Sequence, residues 1–229
     1  MSISTYTAII IEPRKHKAFH FVINNFLDNL SNEWNIIIFH GINNEEFIKN
    51  IINNLKETYI NRITLINLNV ENLTITEYNN TLTNESFYNY IPTETFMIFQ
   101  TDTLILNKEK LSTFLNYDYV GAPWGHIPVA CERVGNGGLS LRKKSKMLEI
   151  IRNIKYSGKN EDVYFCYNPN NALYKPSLEE AMHFSVEEMF FDKPFGCHKP
   201  WNEIIDPQTT EKFFNLYPQV RELYRLNIE

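Results

Sequence analysis

The sequence predicts an α/β fold in which a mainly parallel β-sheet is flanked by helices within a single domain. Short apolar runs alternate with stretches whose apolar residues recur every three or four positions, which is the pattern of repeated βαβ units. The 229 residues are enough for one large α/β domain, and no linker or internal repeat divides the chain. Hydrophobic residues make up 43% and charged residues 21%, a composition typical of globular proteins.

The first part of the chain has the pattern strand, helix, strand, helix, strand. The apolar run from Thr5 to Ile11 predicts a buried strand that ends at Glu12-Pro13, because proline cannot continue a ladder of hydrogen bonds. Further strands are predicted from Trp34 to Phe39 and from Arg62 to Leu68. The helices between them have apolar faces formed by Phe19, Val22, Ile23, Phe26, Leu27 and Leu30, and by Ile48, Ile51, Ile52 and Leu55. We expect ligands beyond the carboxyl ends of these strands.

The remaining elements are predicted with weaker patterns. Residues 70–95 are polar, with helical patterns around Tyr78 and Phe87, and they lead into a strand from Thr95 to Phe99. A helix from Lys108 to Leu115 precedes a loop that extends to Val134. Residues 135–142 form a glycine-rich turn that runs into a helix with Met147, Leu148, Ile151 and Ile154 on one face. Residues 174–195 are less regular, and residues 212–226 predict a terminal helix.

The charge and cysteine content exclude several classes of protein. Lysine and arginine total 22 against 27 acidic residues, for a net charge of −5, and no basic run offers a nucleic-acid footprint.

The apolar runs are far shorter than the roughly 20 residues that span a bilayer, so we expect no membrane anchor. The N-terminus lacks the pattern of a secretory signal, so we expect a cytoplasmic location. Cys131, Cys166 and Cys197 include no CxxC pair, which favours three reduced thiols over a disulfide framework or a zinc site.

Asp102 is the first candidate for chemistry. It follows the end of an apolar strand, so its carboxylate is expected at the sheet edge, where Mg²⁺ or Mn²⁺ often binds together with substrate phosphates. An aspartate at this position also fits a turn or a helix N-cap, and position alone does not decide between the two.

Two other segments carry polar groups next to glycine or at a helix start. Residues 135–142 match neither GxxxxGK nor GxGxxG, but Asn136 and Arg142 offer donors to sugar hydroxyls or phosphate, while a plain β-turn fits equally well. Glu161 and Asp162 begin a predicted helix, where the helix dipole stabilises a negative charge. Capping of the helix explains one carboxylate, and the other could act as a general base or be structural as well.

Residues 194–201 form the densest group of reactive side chains. His198 offers an imidazole that can bind a metal ion, Lys199 offers a cation for phosphate, and Trp201 offers an aromatic wall. A lone histidine is more often structural, but its position in a loop with glycine, lysine and proline favours a functional role.

The order of these motifs resembles glycosyltransferases of the GT-A fold. More narrowly, it is similar to an uncharacterised GT-A-like domain family that is frequent in large DNA viruses. The resemblance covers most of the chain, from Tyr6 to Trp201. The motifs are Gln-Thr-Asp at 100–102, Asp-Tyr-Val-Gly-Ala-Pro-Trp at 118–124, Gly-Asn-Gly-Gly-Leu-Ser-Leu-Arg at 135–142, Asn-Glu-Asp at 160–162 and Phe-Gly-Cys-His-Lys-Pro-Trp at 195–201.

The resemblance implies a GT-A-like, Rossmann-like sheet that binds a nucleotide-sugar donor, UDP- or GDP-linked, with Mn²⁺ or Mg²⁺. The N-terminal half, about residues 1–105, would bind the nucleotide, and the C-terminal half, about residues 106–229, the donor sugar and the acceptor. Asp102 matches the second aspartate of the Asp-x-Asp motif, Gln100 stands in place of the first, and His198 would complete the metal site. Glu12, Arg14, Gln100, Thr101, Asn136, Gly137, Gly138, Arg142 and Lys199 would contact the donor.

The implied reaction is the transfer of a sugar, with inversion, to a hydroxyl of a glycan or protein acceptor. Asp162 would be the general base, with Glu161 as the second choice. Trp124 would form a platform for an acceptor sugar ring, and a place in the core fits it at least as well. Two alternatives stay open: a non-catalytic module that binds a nucleotide sugar or glycan, and a nucleotidyltransferase. We expect no nucleic-acid partner, and a homodimer is left open.

Overall fold

The computed structural model describes residues 5–127, 133–167, 173–202 and 205–228. In chain order the strands are β1 (Tyr6–Ile11), β2 (Trp34–His40), β3 (Ile63–Asn67), β4 (Thr95–Ile98), β5 (Thr103–Ile105), β6 (Tyr119–Gly121), β7 (Ser140–Lys143), β8 (Ser185–Val186) and β9 (Gly196–His198). The α-helices are α1 (Phe19–Asn29), α2 (Glu45–Asn53), α3 (Glu57–Ile60), α4 (Ile75–Leu82), α5 (Lys144–Asn153), α6 (Glu161–Cys166), α7 (Leu178–Phe184), α8 (Pro207–Leu216) and α9 (Pro218–Ile228). Two 3₁₀ helices span Glu85–Tyr90 and Lys108–Phe114.

The main sheet has six strands in the order β3-β2-β1-β4-β7-β6. Strands β1 to β4 run parallel, β7 is antiparallel to β4, and β6 is antiparallel to β7. The prediction of an α/β fold with a mainly parallel sheet is therefore confirmed. The chain adds β2 and β3 on one side of β1 and then returns to place β4 on the other side. The carboxyl ends of β1 and β4 thus meet where the strand order reverses, which is where open α/β sheets bind ligands.

The sheet is covered on both faces, which explains its continuous apolar strands. Ala8 and Ile10 pack into one hydrophobic cluster with α1, whereas Ile9 and Ile11 pack into the other with the segment around Phe87. Because successive residues of a strand point to opposite faces, a run of isoleucines fills both clusters at once.

A second sheet of three short strands, in the order β5-β9-β8, was not foreseen from the sequence. β9 lies in the middle, antiparallel to β5 and parallel to β8. Its strands have only two or three residues, too few to show a periodic pattern. The register pairs Thr103 with His198 and Val186 with Cys197, so this sheet brings the neighbourhoods of Asp102, His198 and Glu187 together.

The helix predicted from Lys108 to Leu115 is present as a 3₁₀ helix, Lys108–Phe114. Two other details of the sequence prediction were wrong. The single terminal helix is two helices, α8 and α9, because Pro218 has no N–H group to continue α8 and instead begins the next helix. The glycine-rich turn ends in strand β7 before α5 begins.

The predictions for the cysteines and for a membrane anchor can be compared with the described residues. Cys166 and Cys197 are free and buried, while Cys131 and residues 128–132 of the predicted loop lie outside the described residues. In the part of the chain that the structure describes, no helix combines the length and the hydropathy needed to cross a bilayer.

Candidate functional site

A cleft of about 870 Å³ opens at the carboxyl ends of β1 and β4. This volume is in the range of sites that bind small molecules and cofactors. Twelve of the residues singled out from the sequence line it: Glu12, Arg14, Gln100, Thr101, Asp102, Asn136, Gly137, Gly138, Glu161, Asp162, His198 and Lys199. Motifs spread over most of the chain therefore meet in one place. Arg142 and Trp124 do not line the cleft.

Asp102 and His198 face each other in this cleft. Nε2 of His198 lies 3.3 Å from Oδ1 of Asp102. Among the described residues, this buried oxygen has no hydrogen-bond partner. Burial alone would raise the pKa of the Asp102 carboxyl, but the attraction of His198 outweighs it and lowers the pKa below its ordinary value. The site therefore presents a carboxylate beside an imidazole nitrogen.

The backbone around this pair is held tightly. The N–H of Lys199 donates to the carbonyl oxygen of Asp102 at 2.9 Å, which extends the ladder between β5 and β9. Lys199 adopts a positive φ of 42°, a conformation that is uncommon for residues other than glycine and is found at functional sites. Lys199 is exposed and lines the cleft.

Gly137 and Gly138 allow the segments that carry Glu161 and His198 to approach the turn closely. A Cβ on Gly138 would lie 2.3 Å from Nε2 of His198, and a Cβ on Gly137 would lie 2.4 Å from Oε1 of Glu161. In addition, the Gly137 N–H donates to Oδ2 of Asp162 at 3.1 Å. A larger side chain at either position would clash with these groups, so both positions require glycine for lack of space. The backbone conformation is not the reason, since neither residue has a positive φ.

Arg142 and Glu161 form a buried ion pair beneath the glycine-rich turn. Nη1 and Nη2 of Arg142 donate to the two carboxylate oxygens of Glu161 at 2.6 and 2.9 Å. The guanidinium is fully buried and lies over the rings of Tyr119 and Phe165. Arg142 therefore lies outside the cleft lining, and both oxygens of Glu161 are engaged by its guanidinium.

Asp162 is the carboxylate that remains available. Its Oδ1 accepts a hydrogen bond from the Val163 N–H at 2.7 Å, and Oδ2 accepts from Gly137. Burial, together with repulsion by Glu161, raises the pKa of Asp162 from 3.8 to about 6. A carboxyl with such a pKa is ionised at neutral pH yet basic enough to accept a proton.

The segment after β1 places a cation at the rim. Glu12 is buried, and its carboxylate accepts two hydrogen bonds from the Arg14 side chain, at 2.8 and 2.7 Å. The Arg14 side chain is 57% exposed. Glu12 thus orients Arg14 at the cleft rather than presenting free oxygens to a ribose.

Gln100 is also held by a neighbour. Its Nε2 donates to the hydroxyl of Tyr78 on α4 at 3.0 Å. Neighbouring Asn79 accepts the N–H of Glu161 at 2.9 Å and so connects α4 to the start of α6.

Trp124 lies in the core and does not line the cleft. It is 5% exposed and packs in the hydrophobic cluster that contains Phe165. A Cβ on Gly135 would lie 2.7 Å from its ring, which shows how closely the indole is enclosed.

Several residues of the site escaped the sequence analysis. Glu187 lies 3.1 Å from Nδ1 of His198, and Asn227 at the end of α9 donates to the carbonyl oxygen of Thr101 at 3.1 Å. Both come from segments with no local motif, and only the strand register and the packing of the last helix bring them near the site. Because β8 has only two residues, no local pattern in the sequence marked Glu187.

The chain was compared with protein families, curated proteins and solved structures. The family model described as "Protein of unknown function (DUF5672)" matches residues 62–198, more than half of the chain. The chain belongs to the DUF5672 family. The search of curated proteins gave no match.

Solved structures similar to this DUF5672 chain include those of GlyE, LgtC and TarS. The apo form of the glycosyltransferase GlyE from Streptococcus pneumoniae TIGR4 has a TM-score of 0.57 and 10% identity, with 96% of this chain and 63% of that chain covered. The galactosyltransferase LgtC, in complex with donor and acceptor sugar analogs, has a TM-score of 0.55 and 11% identity, with 92% and 94% covered. TarS 1–349 of S. aureus, in complex with UDP-GlcNAc, has a TM-score of 0.53 and 11% identity, with 96% and 66% covered.

These likenesses confirm the GT-A-like fold of the DUF5672 chain. At 10–11% identity they show the fold alone. The chain spans about two thirds of the GlyE and TarS chains and nearly all of the LgtC chain.

Proposed function

We propose that this protein is a metal-dependent glycosyltransferase that moves a sugar from a UDP- or GDP-sugar to an acceptor hydroxyl. The observation that carries the proposal is the placement of Asp102, His198 and Asp162 around one cleft at the switch point of the sheet. The fold that the chain shares with GlyE and LgtC supports it.

The residues at the cleft fit a hard divalent cation. In the described ranges no three His, Cys, Asp or Glu side chains form a complete ligand set. Mn²⁺ or Mg²⁺, however, commonly takes one or two protein ligands and fills its remaining positions with substrate phosphates and water. Asp102 and His198 would hold the ion, and the oxygen of Asp102 without a hydrogen-bond partner is a suitable ligand. When bound, such an ion neutralises the charge of a departing diphosphate.

The positively charged side chains of Lys199 and Arg14 fit the phosphates of a nucleotide-sugar donor. Lys199 next to the pair would contact the diphosphate, and Arg14 would approach it or the base from the end of β1. Asn136, Gly137, Gly138, Gln100 and Thr101 also line the cleft and would face the donor. Both expected halves, about residues 1–105 and 106–229, contribute to this lining.

Asp162 is our choice as general base. The oxygen of the acceptor hydroxyl would attack the anomeric carbon, its proton would pass to the Asp162 carboxylate, and the bond to the nucleoside diphosphate would break. A single displacement of this kind inverts the anomeric configuration. The raised pKa of Asp162 supports the assignment.

The test is an assay for nucleoside diphosphate released from a panel of nucleotide sugars with Mn²⁺. The wild type should release the nucleoside diphosphate. The rate of release in Asp102→Ala should be lower by at least about 100-fold, since a bound cation contributes several kcal/mol to transition-state stabilisation. Asp192→Ala is the matched control, because Asp192 is exposed and lies outside the cleft. Equal rates in wild type and Asp102→Ala would contradict the proposal.

A non-catalytic module is the second candidate, and the amide of Gln100 favours it. Gln100 occupies the place of a carboxylate and is bonded to Tyr78. Calorimetry that detects binding of the nucleotide sugar without turnover would select this function. Release of inorganic diphosphate instead of nucleotide would select a nucleotidyltransferase. The viral resemblance, the cytoplasmic location, the single-domain organisation, the glycan or protein acceptor and the homodimer stay predictions.

A further inference from the structure

The second sheet places His198 between two acidic residues. In the order β5-β9-β8, Asp102 precedes β5 on one side and Glu187 follows β8 on the other. Because Val186 is paired with Cys197, the next residues of the two parallel strands, Glu187 and His198, lie level with each other. The register of the sheet therefore sets both neighbours of the imidazole.

The two ring nitrogens face different surroundings. Nε2 lies 3.3 Å from Oδ1 of Asp102, toward the cleft. Nδ1 lies 3.1 Å from Oε1 of Glu187 and 3.1 Å from Oδ1 of Asn136. The amide oxygen of Asn136 is identified by the N–H of Gly138, which donates to it at 2.9 Å. Both partners of Nδ1 are thus acceptors, as is Asp102 beside Nε2. An imidazole that binds a cation through Nε2 must therefore carry its proton on Nδ1, where Glu187 and Asn136 can accept it.

Glu187 does not line the cleft, although it contacts a residue that does. It is 8% exposed, and its Oε2 has no hydrogen-bond partner within the described ranges. A buried carboxylate in this state is costly unless it is compensated. A Cβ on Gly138 would lie 2.2 to 2.4 Å from three atoms of the imidazole, so the glycine-rich turn lies directly against the ring.

We propose that Glu187 is a positioning residue for the cation site: it holds the proton of His198 on Nδ1 and so keeps Nε2 directed at a cation shared with Asp102. The inference rests on the proposed function, because that function requires the cation. Carboxylate partners behind a ligating histidine fix its tautomer and orientation and raise its basicity, and their removal typically lowers metal affinity 10- to 100-fold.

The test measures Mn²⁺ binding to the full chain by electron paramagnetic resonance, without donor or turnover. Glu187→Ala should bind Mn²⁺ about 10- to 100-fold more weakly than the wild type. Glu187→Gln keeps an oxygen that accepts from Nδ1, so its loss should be smaller. Spin-echo modulation should show a coordinated imidazole nitrogen in the wild type and a weakened or missing signal in Glu187→Ala.

Glu188→Ala is the matched control. Glu188 is the next residue, but its Oε2 accepts from the Gly125 N–H and contacts His126 instead of His198. Its removal should leave the Mn²⁺ affinity and the nitrogen signal unchanged.

The outcomes separate this inference from the proposed function. If the wild type binds no Mn²⁺, the cation site and this inference are both overturned. If the wild type binds Mn²⁺ and Glu187→Ala binds it equally, with the same nitrogen signal, only this inference is overturned. Should Glu187→Ala fail to fold, Glu187→Leu decides, because leucine fills the space without an acceptor for Nδ1. Wild-type affinity with an unaltered nitrogen signal in that variant overturns the inference.

Discussion

Glu161 and Asp162 are adjacent residues with opposite environments. The carboxylate of Glu161 is fully engaged by Arg142, whereas Asp162 accepts only backbone hydrogen bonds at the cleft. The sequence predicts an acidic pair at a helix start, and α6 does begin at Glu161. Which of the two is available depends on a buried arginine from β7, and no local pattern could show that.

The pH dependence of activity follows from Asp162. Because the pKa of its carboxyl is raised to about 6 and a general base must be ionised, the rate should rise with pH up to about 6 and then level off. Asp162→Asn should lower the rate by about 10²- to 10⁴-fold. Nucleotide release measured between about pH 5 and pH 8 checks both expectations. A flat profile, or full activity in Asp162→Asn with Asp192→Asn as control, would contradict the role of Asp162.

The same variant has an expected effect on stability. The pKa of Asp162 is higher in the folded chain than its ordinary 3.8, so the folded state binds more protons between about pH 4 and pH 6 and loses stability as the pH rises through that interval. Asparagine removes this titration. The melting temperature of Asp162→Asn relative to that of the wild type should therefore rise between about pH 4 and pH 8. A difference that is constant over this range would contradict the raised pKa.

At the scale of elements, the longer strands and helices were predictable and the short ones were not. β1, β2 and α1 bury continuous apolar runs or stripes, so their positions follow from periodicity. β5, β8 and β9 are too short for a pattern, and their pairing depends on contacts between residues far apart in the chain. Yet these strands position the pair of Asp102 and His198.

The packing of the glycine-rich turn against β9 is a prediction at this scale. A Cβ on Gly138 would lie 2.2 Å from Cε1 of His198, so Gly138→Ala must displace the imidazole. We expect the Mn²⁺ affinity to fall about tenfold or more, as it does when the orientation of a ligating histidine is lost. Titration with Mn²⁺ measures this.

Gly125→Ala is the control, because the nearest atoms to its added Cβ would be 3.5 Å away, an ordinary contact. Unchanged Mn²⁺ affinity in Gly138→Ala would show that the ring position does not matter for the ion.

At the scale of the whole molecule, the cleft is assembled from segments distributed along the chain. Residues after β1 and β4, the glycine-rich turn, the start of α6 and the end of β9 all contribute, and Asn227 and Ile228 of α9 add to the wall. The motif residues could be predicted because they follow strands or precede helices in the order of a GT-A-like fold. The contribution of α9 could not, because it depends on how the last helix docks on Thr101.

The most direct test of the account is a crystal structure of this protein with Mn²⁺ and uridine diphosphate. We predict that the ion lies within about 2.5 Å of a carboxylate oxygen of Asp102 and of Nε2 of His198, with the diphosphate beside Lys199. An ion bound elsewhere, or a nucleotide outside the cleft at the ends of β1 and β4, would contradict it.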